Sequence, residues 1–395
     1  MRKWLVTKAI INTKLILEDG IIWDAAITFD DTGIVDFGTS DKVNIPPGTE
    51  IIDAHGDYTA PGFVDIHCHG GKNVFFYEDP YSACEFFAAH GTTFVLPALY
   101  QHLGYDELVS AIDEIGAAKG NGYGRIIGGL YMEGPFMNPK YGSDARNLKW
   151  AGPVDMESAR KLVDYAGSLA RVWCVAPERE GIEDFVRYAK EVNPGTVFSM
   201  GHSEAKPYMA YKLKKYGLKN HTHHTNATGV VNPIIPGNVG IRDVGPDEAC
   251  LYDADMYAEL IVDSMGIHVK PHMLRLVTKI KGIEKIILIT DYYPRDCENP
   301  DGEIMGGVKA PDLGYDSAGW VCGSKMTMDV ACRNMMAHTG YGLCHVIKFA
   351  TINPARMLGI DAETGSIEKG KKANLIIIDD MVKVKKVIFE GDIII

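Results

Sequence analysis

Two histidines one residue apart, His67 and His69 in the string PGFVDIHCHG, are the residues of this chain best placed to do chemistry. Asp65, His67 and His69 alternate with Val64, Ile66 and Cys68, so on a β-strand both imidazoles leave one face and reach a single metal ion. Other polar residues stand at or just past the ends of apolar, β-branched runs: Glu133 in MEGPF, His202 in SMGHS, His223 in NHTHHTN and Asp291 in ILITD. In a barrel of parallel strands, catalytic groups gather at such carboxyl-terminal strand ends. Each residue also has a plainer reading. An isolated HxH pair can belong to a core, Glu133 can be a surface loop carboxylate, His202 can bond backbone at a turn, and Asp291 can cap the loop that follows it. His221, His223 and His224 compete for one position, and His221 shares a face with His223 if the segment is extended.

The elements that must position these residues follow from the punctuation of the chain. Residues 1 to about 58 read as short strands broken by turn signals, from WLVTKAIIN to IIDAHGD, and make a small β-domain. From residue 59 to residue 359 apolar strands alternate with amphipathic helical stretches, which describes a (β/α)₈ TIM-type barrel. Residues 360–395 return to short strands, SIEKGKKANLIIID and KVKKVIFEGDIII, and are expected to complete the N-terminal part as a small β-sandwich around an inserted barrel.

Composition narrows the function. A chain of 395 residues with 46% hydrophobic and 23% charged residues buries a substantial core. A formal charge of −12 with no clustered basic run argues against nucleic-acid binding. The first residues lack a signal-peptide apolar region and no stretch approaches a membrane span. The eight cysteines are scattered without a CxxC, which fits reduced thiols in a cytoplasm. The expected partner is a small-molecule substrate, with no nucleic acid and no membrane, and a homodimer is expected.

Taken together, the HxH after PGFVD, the GH, H and TD strand ends, and ATINPARMLGI followed by GSIEKGKKANLIIID resemble the metal-dependent amidohydrolase superfamily across nearly the whole chain. Within it the chain is most similar to the N-acetylglucosamine-6-phosphate deacetylases, on MEGPFMNPKYG, HTHHTNATG and CGSKMTM. The resemblance implies one or two divalent ions per chain, zinc, iron or cobalt. Glu133 would take the bridging position, with His202 and His223 completing one site and His67, His69 and Asp291 completing a second. It aligns HxxNA with His223 and Asn226, which favours His223 over its neighbours. Hydrolysing an amide needs a strong nucleophile at neutral pH and an oxyanion stabiliser, and a divalent metal supplies both. Water activated by the metal would attack the acetyl carbonyl, with Asp291 accepting its proton and passing one to the leaving amine. The resemblance further implies that His268 touches a sugar hydroxyl, that Asn226 and Ala227 contact the far end of the substrate, and that Cys322, Gly323 and Ser324 lie along the acyl group.

Two departures bear on the substrate. Family members carry a phosphate-gripping arginine about eleven residues after the His223 position, where this chain reads GVVNPIIPG with Ile234 in its place. Arg242 is the candidate substitute. The segment after EGPF reads YGSD, and an ionised Asp144 could not donate a hydrogen bond where relatives place His or Gln. Three readings therefore stand: an N-acetyl amino-sugar deacetylase, phosphorylated or not; an amidohydrolase acting on another small amide such as an N-acyl amino acid or cyclic ureide; and a non-catalytic barrel.

Overall fold

Eight short strands form the centre of the molecule: β1 (Phe63–Cys68), β2 (Thr92–Tyr100), β3 (Leu130–Glu133), β4 (Ala170–Val175), β5 (Val197–Met200), β6 (Leu218–His221), β7 (Tyr257–Leu260) and β8 (Ile286–Leu288). The structure is a computed structural model, and it describes residues 7–142, 148–229, 243–295, 310–316 and 319–395. Every residue of β1, β3, β5, β7 and β8 is buried. Strands covered on one face by helices and on the other by their own interior have no solvent side, so even the polar residues of β1 and β7, Asp65, His67 and Glu259, are buried.

Neighbours along the sheet pair in parallel in the order β8-β7-β6-β5-β4-β3-β2-β1. Polar contacts join the two ends of that order. The Asp291 N–H donates to the His67 carbonyl at 2.9 Å, and the His69 N–H donates to the Tyr292 carbonyl at 3.0 Å. The Thr290 hydroxyl donates to Asp65 Oδ2 at 2.6 Å. Asp65, which shares a strand face with the two histidines in sequence, thus ties the seam, and burial lifts its pKa to about 7 against those hydrogen bonds.

Helices cover the outside with one apolar stripe each. Ile182–Val192 buries Ile182, Phe185, Val186 and Ala189, the i, i+3, i+4, i+7 spacing of a single face, and places Glu183 and Asp184 in its first turn, where carboxylates favour the helix dipole. Its Phe185 ring lies 4.1 Å from that of Phe136, three residues after Glu133, so this helix also steadies the segment that leaves β3. Truncating Phe185 to Ala would remove that packing at about 3–5 kcal/mol.

The second eight-stranded sheet is assembled from both ends of the chain. Leu375–Ile378 pairs antiparallel with Tyr58–Pro61, which pairs parallel with Lys8–Leu17. Its core, including Ile10, Ile27, Phe29, Leu375 and Ile377, is separate from the barrel core. Gly62 joins the two sheets, and a Cβ there would lie 2.3 Å from the Thr93 side chain, so only glycine fits. The barrel with a small accompanying β-structure is the fold that the strand-then-helix pattern predicts. Among the described residues no helix is long and apolar enough to cross a membrane, and the cysteines are free.

Candidate active site

The carboxyl-terminal rim of the barrel gathers the polar residues that the sequence places at strand ends. His67 lies on β1 with His69 just past it, Glu133 is the last residue of β3, His202 and His223 lie two residues beyond β5 and β6, and Asp291 lies three beyond β8. All six are buried. Glu133 stands between two groups: its Oε1 is 2.9 Å from His202 Nε2 and 3.2 Å from His223 Nε2, while its Oε2 is 3.2 Å from His69 Nε2 and 3.5 Å from His67 Nε2. Asp291 Oδ1 is 3.1 Å from His69 Nε2 and 3.7 Å from His67 Nε2. The result is two triads with their ligand atoms within 4.8 Å of one another, His67/His69/Asp291 and Glu133/His202/His223.

The other ring nitrogens explain why these faces point inward. Nδ1 of His67 meets Glu259 Oε2 at 3.3 Å, that of His69 meets the Ala98 carbonyl at 3.2 Å, and that of His223 meets the Asn226 carbonyl at 3.1 Å. An Nδ1–H donated outward leaves the Nε2 lone pair for the cluster. Among the described residues His67 Nε2 and Asp291 Oδ1 make no well-aligned hydrogen bond despite neighbours at 3.1–3.7 Å, and the Nε2 atoms of His202 and His223 face each other at 3.0 Å. Buried lone pairs left in this way are costly, and a cation between them removes the cost. Four imidazoles and two carboxylates are a donor set for Zn²⁺, Fe²⁺ or Co²⁺, so the residues fit a divalent metal.

Electrostatics agree with that fit. Burial alone would depress His67 and His69, but Glu133 and Asp291 outweigh it, holding His67 well above the usual imidazole range and His69 at about 9. Burial would raise Asp291, yet His67 and His69 bring it down to about 2. Protons therefore stand in for positive charge until a metal replaces them. Strain marks the same places: φ is 46° at His202, 27° at His223 and 45° at Asp291, each left-handed without glycine's freedom. Such residues cost about 1 kcal/mol or more apiece and persist where the surroundings hold them in functional positions.

A cleft of about 500 Å³ opens over the cluster. Asn226, Ala227, His268, Cys322 and Gly323 all line it. His268 donates its Nδ1–H to Asp263 Oδ2, 3.0 Å away, and its Nε2 and the Asn226 Nδ2 make no hydrogen bond among the described residues. Ser324 departs from the expected role along the acyl group. It is fully buried, and its hydroxyl donates to the Thr290 carbonyl at 2.5 Å. That bond turns it to the strand end and leaves the backbone of Gly323 against Asp291, where a Cβ would lie 2.2 Å from the Asp291 carbonyl oxygen. His221 and His224 join each other at 2.7 Å, not Glu133. Asp144, Ile234 and Arg242 lie outside the described residues.

Sequence reading misses three supports. Glu259, on β7, lies behind His67. Asp263 accepts backbone N–H groups from Met265, Ile267 and His268, shaping the loop that carries His268; burial would raise its carboxyl, but the His268 imidazole and the N–H groups of Ile267 and His268 hold it at about 2. Arg179 binds the carbonyls of Pro135, Met137, Trp150 and Gly152, clamping both ends of the segment that follows Glu133. The signal for Glu259 and Asp263 is a lone carboxylate in or just after an apolar run. Arg179 has none, because its partners are backbone carbonyls.

Comparison with known proteins places this geometry in context. Residues 58–394 match the amidohydrolase family. The N-acetylglucosamine-6-phosphate deacetylase of Bacillus subtilis (strain 168) is 28% identical over 389 residues, spanning 96% of this chain and 95% of its own. The N-acetylgalactosamine-6-phosphate deacetylase of Escherichia coli O157:H7 is 26% identical over 367 residues, spanning 88% and 90%. The crystal structure of N-acetylglucosamine-6-phosphate deacetylase from Pasteurella multocida superposes with a TM-score of 0.80 at 26% identity, covering 98% of this chain and 99% of that one.

Proposed function

Because the chain belongs to the amidohydrolase family, we propose that it is a metal-dependent hydrolase that removes the acetyl group from an N-acetyl amino sugar, in the manner of its N-acetylglucosamine-6-phosphate deacetylase relatives. The observation that carries this reading is Glu133, whose two oxygens each face a different pair of imidazoles at a strand-end rim. His67, His69, Glu133, His202, His223 and Asp291 would hold one or two divalent ions, zinc, iron or cobalt. Bound there, the ion acidifies water and polarises the acyl carbonyl.

The chain's own residues account for the rest. Asp291, a buried carboxylate at the rim, takes the proton of the attacking water and returns it to the nitrogen of the departing amine. His268 Nε2 and Asn226 Nδ2, which make no hydrogen bond among the described residues and belong to side chains lining the cleft, bind sugar hydroxyl and polar substituents. The absence of family-type arginine at Ile234 favours a second reading, an unphosphorylated N-acyl sugar or another small amide. Measuring kcat/KM for N-acetylglucosamine 6-phosphate, its free and galacto counterparts and N-acyl amino acids tests both. Loss of one charged hydrogen bond costs about 1.5–3 kcal/mol, roughly ten- to a hundredfold, so little preference for the phosphorylated sugar is expected. A preference above about a thousandfold exceeds that loss and would identify a substitute cation. Turnover of N-acyl amino acids alone would overturn the sugar reading.

A further inference from the structure

We propose that Glu259 is the positioning residue that lets the His67/His69/Asp291 half of the cluster hold its own metal ion. The inference rests on the metal-dependent reading above and adds a residue that no ligand set contains.

Glu259 is a fully buried carboxylate in β7, a setting that is costly unless donors surround it. Four do. Its Oε2 is 3.3 Å from His67 Nδ1 and 3.3 Å from the His223 backbone N–H, its Oε1 is 3.3 Å from the Tyr131 hydroxyl, and Asn220 Nδ2 donates to it as well. An ionised carboxylate only accepts, so this arrangement requires the proton of neutral His67 on Nδ1 and presents Nε2, which makes no hydrogen bond among the described residues, to the cluster. The Tyr131 ring stacks on the same imidazole at 4.2 Å between centroids, fixing its plane while Glu259 fixes its edge.

The other outward contacts differ in kind. His69 and His223 are oriented by the carbonyls of Ala98 and Asn226, which belong to the backbone and survive any side-chain replacement. Among the described residues His67 is the ligand candidate whose tautomer depends on another side chain. Removing the charge of Glu259 therefore acts mainly on the His67 half: the bond from the His223 backbone N–H weakens too, but the His223 ring keeps its Asn226 partner. Such outer partners are worth about 10- to 100-fold in metal affinity.

Titrating metal-free full-length protein with Zn²⁺ or Co²⁺ tests this. Wild type is expected to bind two equivalents, and Glu259→Gln is expected to keep one at wild-type affinity while the other weakens about 10- to 100-fold. Introducing Glu259→Gln into His67→Ala should weaken that equivalent little further, and Glu259→Asp should recover part of the loss seen in Glu259→Gln. A purely structural role would instead lower the melting temperature and weaken both equivalents together. Unchanged isotherms, equal weakening of both, or a wild type with one equivalent that the variant retains would each overturn the proposal. Should Glu259→Gln not fold, Glu259→Asp is judged by the same two isotherms. A wild type that binds no metal at all would overturn the metal-dependent reading itself, a separate result.

Discussion

His221 and His224 flank His223 in the chain and are buried with it, yet the three imidazoles live in opposite surroundings. His223 faces Glu133, and although burial depresses it the carboxylate raises it above the usual imidazole range. His221 and His224 face each other at 2.7 Å. Burial, together with the neighbouring ring and the Lys281 ammonium, drives His221 far down, and burial and Lys281 take His224 to about 3. Neither burial nor HxH spacing makes a histidine a ligand. Asp247 Oδ1 stands 3.8 Å from both outer rings without raising either, whereas Glu133, 3.2 Å from His223, and the Asn226 carbonyl behind its Nδ1 together favour a cation at the inner nitrogen.

The cluster side of this contrast should break most visibly at Asp291. Asp291→Asn is expected to keep its fold and metal while kcat falls about 10²- to 10⁴-fold, since an amide cannot shuttle the proton. Metal content and turnover measured on one preparation check this, and wild-type-like turnover would remove Asp291 from the mechanism. Next in size, replacing both His67 and His69 by Ala should lower bound metal by about one equivalent in elemental analysis. Unchanged stoichiometry would reject the second ion.

The imidazole pair should respond differently. Substituting His221 and His224 together with Ala is expected to cost stability of about 1–3 kcal/mol, through lost packing and one hydrogen bond, while metal content stays at the wild-type value. A loss of metal as large as that caused by the HxH double variant would collapse the distinction. The smallest effect falls outside both histidine groups. Asp263 has a folded pKa of about 2, below the roughly 3.9 of an unfolded aspartate. Its stabilisation is therefore complete above about pH 4 and is lost as pH falls toward 2. Asp263→Asn should flatten that part of the acid-unfolding profile, and an unaltered profile would remove Asp263 from the linkage.

What the sequence made legible depended on locality. His67 and His69 announce themselves because a strand repeats every two residues, and Glu133, His202 and Asp291 because each interrupts an apolar run at its end. His223 could be chosen over His221 only by resemblance, since extended backbone puts both on one face; the turn after β6, with φ of 27° at His223, settles their different directions. Glu259 escaped because a carboxylate between Ala258 and Leu260 reads as the solvent side of an alternating strand. Its donors come from β1, β3 and β6, and only closure of the barrel collects them. Ser324 was misread for a related reason: its partner, the Thr290 carbonyl, is a backbone atom with no signature in composition.

The pairing of Leu375–Ile378 with Tyr58–Pro61 sets a timetable for synthesis. Roughly three hundred residues separate the two strands, so at about 5–20 residues per second a growing chain carries the free edge of Tyr58–Pro61 for about 15–60 s. An open strand edge invites pairing with another chain. The strands of the barrel emerge during that wait, and Leu375–Ile378 then closes the sheet that Lys8–Leu17 and Tyr58–Pro61 began. Products that stop shortly before Leu375 would therefore carry every barrel strand and still present an aggregation-prone edge, so the final twenty or so residues guard solubility although they contribute nothing to the rim.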